Sequence, residues 1–322
     1  MALVPLGAAA LAVLAIAAVP AAAQDTYPSR PVELVVPFAA GGGTDLLARL
    51  LSDGLSKRLG QSFVVLNRPG ANTNVGTQLV VRAKPDGHTL VMASIGLAAN
   101  PSLYKRLSFD PLNDLVPISL IANSPTILVV TPSLPPKTLP DLIALVKARP
   151  GELNYASYGV GSGPHLATEL FRSKTGVDIV HVPFAGGGPA AVGVMNNTVQ
   201  MLFSSILPVL GLARDGNVKP IAIASERRSP LLPDVPTFGA SGIDYRTGTW
   251  FGLLAPAKTP EPIIAALHRA TVETLQDPDV RRRIEEQGGD VVASSPAEFR
   301  AFIKEETDRL SAVIRSANIQ ID

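Results

Sequence analysis

Val32-Glu33-Leu34-Val35-Val36-Pro37-Phe38-Ala39-Ala40-Gly41-Gly42-Gly43-Thr44-Asp45-Leu46-Leu47 is the stretch from which the fold follows. Its apolar, β-branched first part predicts a buried strand over 32–37. Three glycines then break the chain. Beyond them Leu46, Leu47, Leu50, Leu51, Leu55 and Leu59 recur at three- and four-residue spacing, with Asp45 and Arg49 one turn apart, which predicts a helix. The segment Val36-Pro37-Phe38-Ala39-Ala40-Gly41-Gly42 recurs as Val182-Pro183-Phe184-Ala185-Gly186-Gly187-Gly188. Two strand-to-helix units with the same glycine turn, one in each half of the chain, predict two similar lobes whose turns face one ligand.

Working outward, short β-branched runs alternate with segments of helical period. Strands are expected near 63–66, 89–93, 126–130, 179–183, 199–203 and 220–224, and helices near 139–148, 165–174, 189–195 and 207–214. A helical block over 260–275, 278–287 and 296–316 closes the chain, each helix opened by a proline at or near its first turn. One short strand, 250–255, precedes it. Such alternation implies an α/β protein with mostly parallel sheets.

Composition excludes several functions. The 322 residues hold 28 Lys+Arg against 27 Asp+Glu, a net charge of +1, so no cation excess exists to meet a nucleic-acid backbone. Length implies about two domains. The absence of Cys removes thiolate metal sites and thiol nucleophiles. Residues 1–23 are uncharged and run through an apolar stretch into Pro20-Ala21-Ala22-Ala23, which reads as a secretory signal peptide cleaved after Ala23, although the first seven residues lack the usual positive charge. Export to the periplasm follows, and no later apolar run is long enough for a membrane span.

A glycine turn before a helix bares backbone N–H groups at the positive end of the helix dipole, a setting for an anion. A third turn, Ser157-Tyr158-Gly159-Val160-Gly161-Ser162-Gly163-Pro164, has the same logic and adds the hydroxyls of Ser157 and Ser162. None of the three carries the Lys-Ser/Thr ending of a phosphate loop or the glycine spacing of a dinucleotide fingerprint, which leaves a small carboxylate as the natural anion. Catalysis finds little support. His88, His165, His181 and His268 form no metalloprotease pattern and no Ser sits in a nucleophile elbow. Asp45 reads more simply as an acidic first-turn residue, with Thr44 as the cap.

The sequence resembles the extracytoplasmic solute-binding proteins of tripartite tricarboxylate transporters, the Bug (TctC-like) family. The resemblance covers nearly all of the chain after the leader. It rests on Tyr27-Pro28-Ser29-Arg30-Pro31, Pro37-Phe38-Ala39-Ala40-Gly41-Gly42-Gly43-Thr44-Asp45, Asn67-Arg68-Pro69-Gly70, Pro85-Asp86-Gly87-His88-Thr89, His181-Val182-Pro183-Phe184 and Trp250-Phe251-Gly252-Leu253-Leu254-Ala255-Pro256, in that order. It implies a two-lobed Venus-flytrap of the periplasmic-binding-protein fold, each lobe a mostly parallel sheet flanked by helices. Lobe one would take residues 25–123 plus 250–322 and lobe two 124–249, with hinges near 122–125 and 247–251. By matched motif it places Phe38, Ala40, Gly41, Gly42, Gly43, Thr44 and Asp45 on one jaw, with Ser94 beside the strand over 89–93. The opposite jaw takes Ser157, Gly159, Ser162, Pro183, Phe184 and Gly186.

Ser204 and Ser205 stand where family members often carry an acidic residue, which disfavours an amino-acid ligand and favours a carboxylate without an ammonium group. Asn72-Thr73 departs from the family, where glycines are commoner. The implied role is a monomeric, non-enzymatic, cofactor-free and metal-free protein that delivers a small carboxylate to membrane permease subunits. A secreted enzyme acting on a carboxylate in the same cleft is the alternative, and a sensory partner that presents ligand to a membrane receptor shares the same cleft.

Overall fold

The computed structural model describes residues 27–184 and 186–321; the expected leader over 1–23 lies outside them. The first half runs β1 (Val32–Val36), α1 (Gly43–Leu59), β2 (Phe63–Asn67), α2 (Asn74–Val81), β3 (Thr89–Ala93) and α3 (Gly96–Leu103). A 16-residue strand, β4 (Leu115–Val130), then carries the chain through α4 (Leu139–Ala148) into a second series. That series is β5 (Asn154–Ser157), α5 (Gly163–Thr175), β6 (Val180–Pro183), α6 (Gly187–Met195), β7 (Met201–Ser205) and α7 (Leu207–Arg214), followed by β8 (Lys219–Ile223). The chain returns along β9 (Gly248–Pro256) and ends with α8 (Glu261–Gln276), α9 (Pro278–Glu285), β10 (Asp290–Val291) and α10 (Pro296–Ser316).

The two series have one topology. Parallel pairing gives the order β2-β1-β3 in the first and β6-β5-β7 in the second. Thus β1 corresponds to β5, β2 to β6 and β3 to β7. The expected parallel sheets are these two triplets. What joins them is antiparallel: β9 pairs with β3 and with β4 as far as Pro125, and from Thr126 onward β4 pairs with β7 and β8. β4 is longer than the expected strand over 126–130. Pro117 and Pro125 disguise its first half, because a proline cannot donate to a ladder; a register shift between Pro117 and Ser119 accommodates one of them. Strand β10, unexpected within the terminal helical block, pairs with β4 at Asn123 and Ala122.

Alternation along the strands sorts side chains onto both faces of each sheet. In β1, Val32, Leu34 and Val36 enter one apolar layer with Leu51 and Leu55 of α1 and Leu267 of α8, while Val35 enters another with Leu97, Phe299 and Ile303. In β7, Met201 and Phe203 face Phe171, Phe238 and Tyr245, and Leu202 faces Val194 and Val209. Each fully buried Leu or Phe contributes about 1.5 to 3 kcal/mol relative to exposure. Leu166 of α5 is buried in the layer that holds Trp250 and Phe299, and α10 packs against both α3 and α5, so the C-terminal helix ties the second lobe to the first.

Candidate functional site

In an α/β sheet, ligands collect at the carboxyl ends of parallel strands. All six βα turns of the two triplets meet around one cleft of about 610 Å3, which the crossing strands β4 and β9 floor with Ser124, Thr126, Thr249 and Phe251. No Lys, Arg, His, Asp or Glu lines it among the described residues. Its polar groups are hydroxyls, amides and backbone.

The helices that begin at this cleft share an omission. At α1, α2, α3, α5, α6 and α7 no side chain caps the first turn. Away from the cleft, Thr138 caps α4, Asp277 caps α9 and Ser295 forms a capping box with Glu298 on α10, while α8 starts at Pro260 without a side-chain cap. Free N–H groups with the positive end of the helix dipole therefore converge from both lobes, and an anion would satisfy them. Two hydroxyls are likewise unspent. The Oγ atoms of Ser94, after β3, and Ser162, at the start of α5, are buried, line the cleft and have no hydrogen-bond partner.

The first turn is stapled from behind. Asp45, 2% exposed, accepts the Gly41 N–H at 2.9 Å, Arg49 Nε at 3.0 Å and Asn67 Nδ2 at 3.0 Å, and the same amide donates to Phe38 O at 3.1 Å. Burial alone would raise the Asp45 carboxyl, but these hydrogen bonds and the Arg49 charge outweigh it and hold the group below the usual carboxylate range. Asp45 is a locked acceptor with no proton to exchange. Gly41 takes φ +85°, a conformation that suits glycine and turns the chain so that Gly42 and Gly43 face the cleft. Gly42 is the helix N-cap, and the expected cap Thr44 lies inside the first turn, because a cap needs extended backbone and Gly42 supplies it.

Of the expected residues, Phe38, Gly42, Gly43, Thr44, Ser94, Ser162, Ser204 and Ser205 line the cleft. The rest do not. Gly41 and Asp45 shape the first turn from behind, and Ala40 is exposed beside it. Ser157 is wholly buried, its hydroxyl 2.6 Å from Nε2 of the half-buried His181, and it does not line the cleft. Gly159 accepts and donates to the same hydroxyl. Pro183 ends β6, Gly186 caps α6, and Phe184 packs inward against Gly193. The repeated motif thus leads β1 at the centre of one triplet but β6 at the edge of the other. The counterpart of the first glycine turn is the turn after β5.

Several wall residues come from elsewhere. Tyr158 reaches across to place its hydroxyl 2.5 Å from Ser204 Oγ, and burial pushes its phenol up, so it stays protonated. Gly187 lies beneath this ring: a Cβ there would stand 3.2 Å from it. Asn72 and Thr73 follow β2 on a strained segment, with φ of 45°, 48° and 81° at Ala71, Asn72 and Thr73. The buried Asn100 amide holds it, donating to Asn72 O at 2.7 Å and accepting from Asn72 Nδ2 at 2.8 Å. Gln287 and Ile284 enter from the C-terminal segment.

A larger cavity, about 1260 Å3, lies on the other face of the crossing strands. Six of its charges pair with one another, Arg246 with Glu226, Arg282 with Glu286 and Arg309 with Glu306. The described residues contain no cluster of three or more His, Asp or Glu able to hold a metal, and no helix among them is long and apolar enough to cross a membrane.

Residues 47–319 match the model of the tripartite tricarboxylate transporter family receptor. The chain is 39% identical to Protein BugT of Bordetella pertussis over 300 residues, covering 92% of each. Among solved structures, a protein of R. palustris with adipate superposes with TM-score 0.83 at 34% identity, over 92% of this chain and 100% of the other. MatC from Rhodopseudomonas palustris with bound malate gives 0.79 at 35%, over 89% and 100%. The periplasmic binding protein BugD gives 0.80 at 31%, over 92% and 100%.

Proposed function

The chain belongs to the tripartite tricarboxylate transporter receptor family, and from this premise we propose that it captures a small carboxylate between its lobes and delivers it to membrane permease subunits. The observation that carries this reading is the cleft itself: no charged side chain, six uncapped helix starts and two unpartnered hydroxyls. Carboxylate charge is met by N–H and O–H donors from both walls. Each charge-assisted hydrogen bond contributes about 1.5 to 3 kcal/mol net, so four or five offset the ordering cost and leave about −8 kcal/mol, a micromolar affinity. An ammonium group finds no carboxylate in the wall, which favours mono- and dicarboxylates over amino acids.

In this reading the protein is exported to the periplasm by cleavage after Ala23 and works there as a monomer without a cofactor and without turning its ligand over. Lobe one is 25–123 plus 250–322 and lobe two 124–249. They rotate about residues 122–125 and 247–251, where Asn123 faces Trp250 and Pro125 faces Gly248 on paired strands. Closure excludes water and strengthens every donor inside.

The test is a thermal-shift and calorimetric titration of the protein with adipate, malate, citrate, benzoate and a set of amino acids. Ligand at 100 times its Kd adds about 2.7 kcal/mol of stability. A shift with a carboxylate that is then recovered intact supports capture, whereas consumption of the compound supports the enzyme alternative. Shifts confined to amino acids would refute the carboxylate reading.

A further inference from the structure

Behind the α5 wall lie two buried rings, Tyr155 and His165, and a half-buried one, His181, that ligand capture does not itself require. His165, in the first turn of α5 and 6% exposed, lies parallel to His181 of β6, with ring centroids 4.0 Å apart and 9° between planes. Tyr155 of β5 stacks on His181 at 4.9 Å. The pair grips the turn after β5 at two points. His165 Nδ1 accepts the Gly161 N–H at 3.0 Å, and His181 contacts the Ser157 hydroxyl, which accepts the Gly159 N–H at 3.1 Å. The residues that follow are Ser162, with its unpartnered hydroxyl in the cleft, and Gly163, the first of α5.

We propose that neutral His165 is the positioning residue of this turn, its Nδ1 fixing Gly161 and, through it, the Ser162 hydroxyl and the free N–H groups of α5 at the ligand. This rests on the carboxylate reading of the cleft. The two rings differ in what a proton does to them. An imidazolium at His181 would donate to Ser157, which in turn donates to Gly159 O at 3.1 Å, and the chain of bonds survives. An imidazolium at His165 sets one N–H against another and loses Gly161.

Burial above all keeps His165 neutral among the charged and titratable groups that face it. His181 and Tyr155 face it from the sheet. Along α5, Glu169 is held by the Tyr155 hydroxyl at 2.6 Å and by Arg172 at 2.9 Å, and Arg172 also reaches Asp178 at 3.4 Å. On α10, which packs on α5, Glu306 and Arg309 bind each other. Burial and His181 lower the basicity of His165, Glu169 opposes them, and the outcome is a pKa of about 4.

The test compares His165→Asn, whose Oδ1 falls near the Nδ1 position, with His165→Leu, which keeps bulk without an acceptor, and His165→Gln, whose acceptor is displaced by one bond. Amide hydrogen exchange at Gly161 in the ligand-free full chain is expected to stay slow in wild type and His165→Asn and to quicken about tenfold in the other two. With adipate as probe, Kd should stay within about threefold of wild type in His165→Asn and rise about tenfold in His165→Leu and His165→Gln. Unchanged exchange in every folded variant that lacks the acceptor would overturn the proposal, as would equal losses in His165→Asn and His165→Gln. If adipate fails to bind the wild type, the affinity arm passes to whichever carboxylate of the titration set binds, and exchange at Gly161 still decides the role of His165.

Discussion

The Tyr158 hydroxyl stands 2.5 Å from Ser204 Oγ, which itself donates to Ser205 O at 2.7 Å, so the turn after β5 is bonded to the end of β7 across the second lobe's wall. Tyr158→Phe removes this link and a cleft hydroxyl while leaving Ser204 its backbone partner. Affinity for a carboxylate ligand should fall by about 1 kcal/mol, near fivefold, with little change in melting temperature. Calorimetric titration beside a melting curve checks both.

Gly42→Asp tests the first turn. A Cβ at Gly42 meets nothing nearer than Ala39 O at 3.8 Å, and the residue has φ −80°, so the substitution fits. Asp is also a better N-cap than Gly by a few tenths of a kcal/mol. The melting temperature should hold or rise, while the added charge weakens anion binding by about 3 kcal/mol or more. Wild-type affinity in this variant would remove the turn from the site.

The serines separate two kinds of hydroxyl. Ser94→Ala and Ser162→Ala delete groups without protein partners, so stability should stay within about 0.5 kcal/mol while affinity drops by about 1 kcal/mol. Ser157→Ala deletes a buried hydroxyl bonded to His181 and Gly159, and should cost about 1 to 3 kcal/mol of stability. Denaturant melts of the three variants distinguish the pattern.

Acid should destabilise the fold through His165. Its pKa falls from 6.5 to about 4 on folding, so the unfolded chain takes up the proton first. The stability tied to neutral His165 is fully present above pH 6.5 and is lost as pH falls toward 4, by about 2 kcal/mol at pH 5 and about 3 kcal/mol at pH 4. Urea melts between pH 7 and pH 4 should show a shallower decline in His165→Asn than in wild type; parallel curves would exclude the effect.

Local chemistry was legible in the sequence and pairing was not. Residues 36–45 announce a strand, a glycine turn and a helix, and the structure has them. The recurrence at 182–188 announces the same turn, yet cannot say that β6 is an edge strand while β1 is central, because strand order is settled by partners far away in the chain. Asn72 and Thr73, which the resemblance marked as departures from glycine, show the reverse: both have positive φ, the backbone that glycine adopts freely, and here the Asn100 amide secures it. Phe251 and Gln287 were missed because both reach the cleft through the return of the chain, Phe251 along β9 and Gln287 in the turn that closes α9, whose glycines follow a helix instead of opening one.

That return also sets an order of assembly. The sheet that holds β7, β5, β6 and β8 takes its strands from one unbroken stretch of chain, whereas β1, β2 and β3 wait for β9, whose Leu254 sits opposite Val91. Contacts of such sequence separation close late in folding, because the loop entropy must be met before they form. A chain synthesised N-terminus first therefore completes the sheet of β1, β2 and β3 only once β9, Gly248–Pro256, has been made.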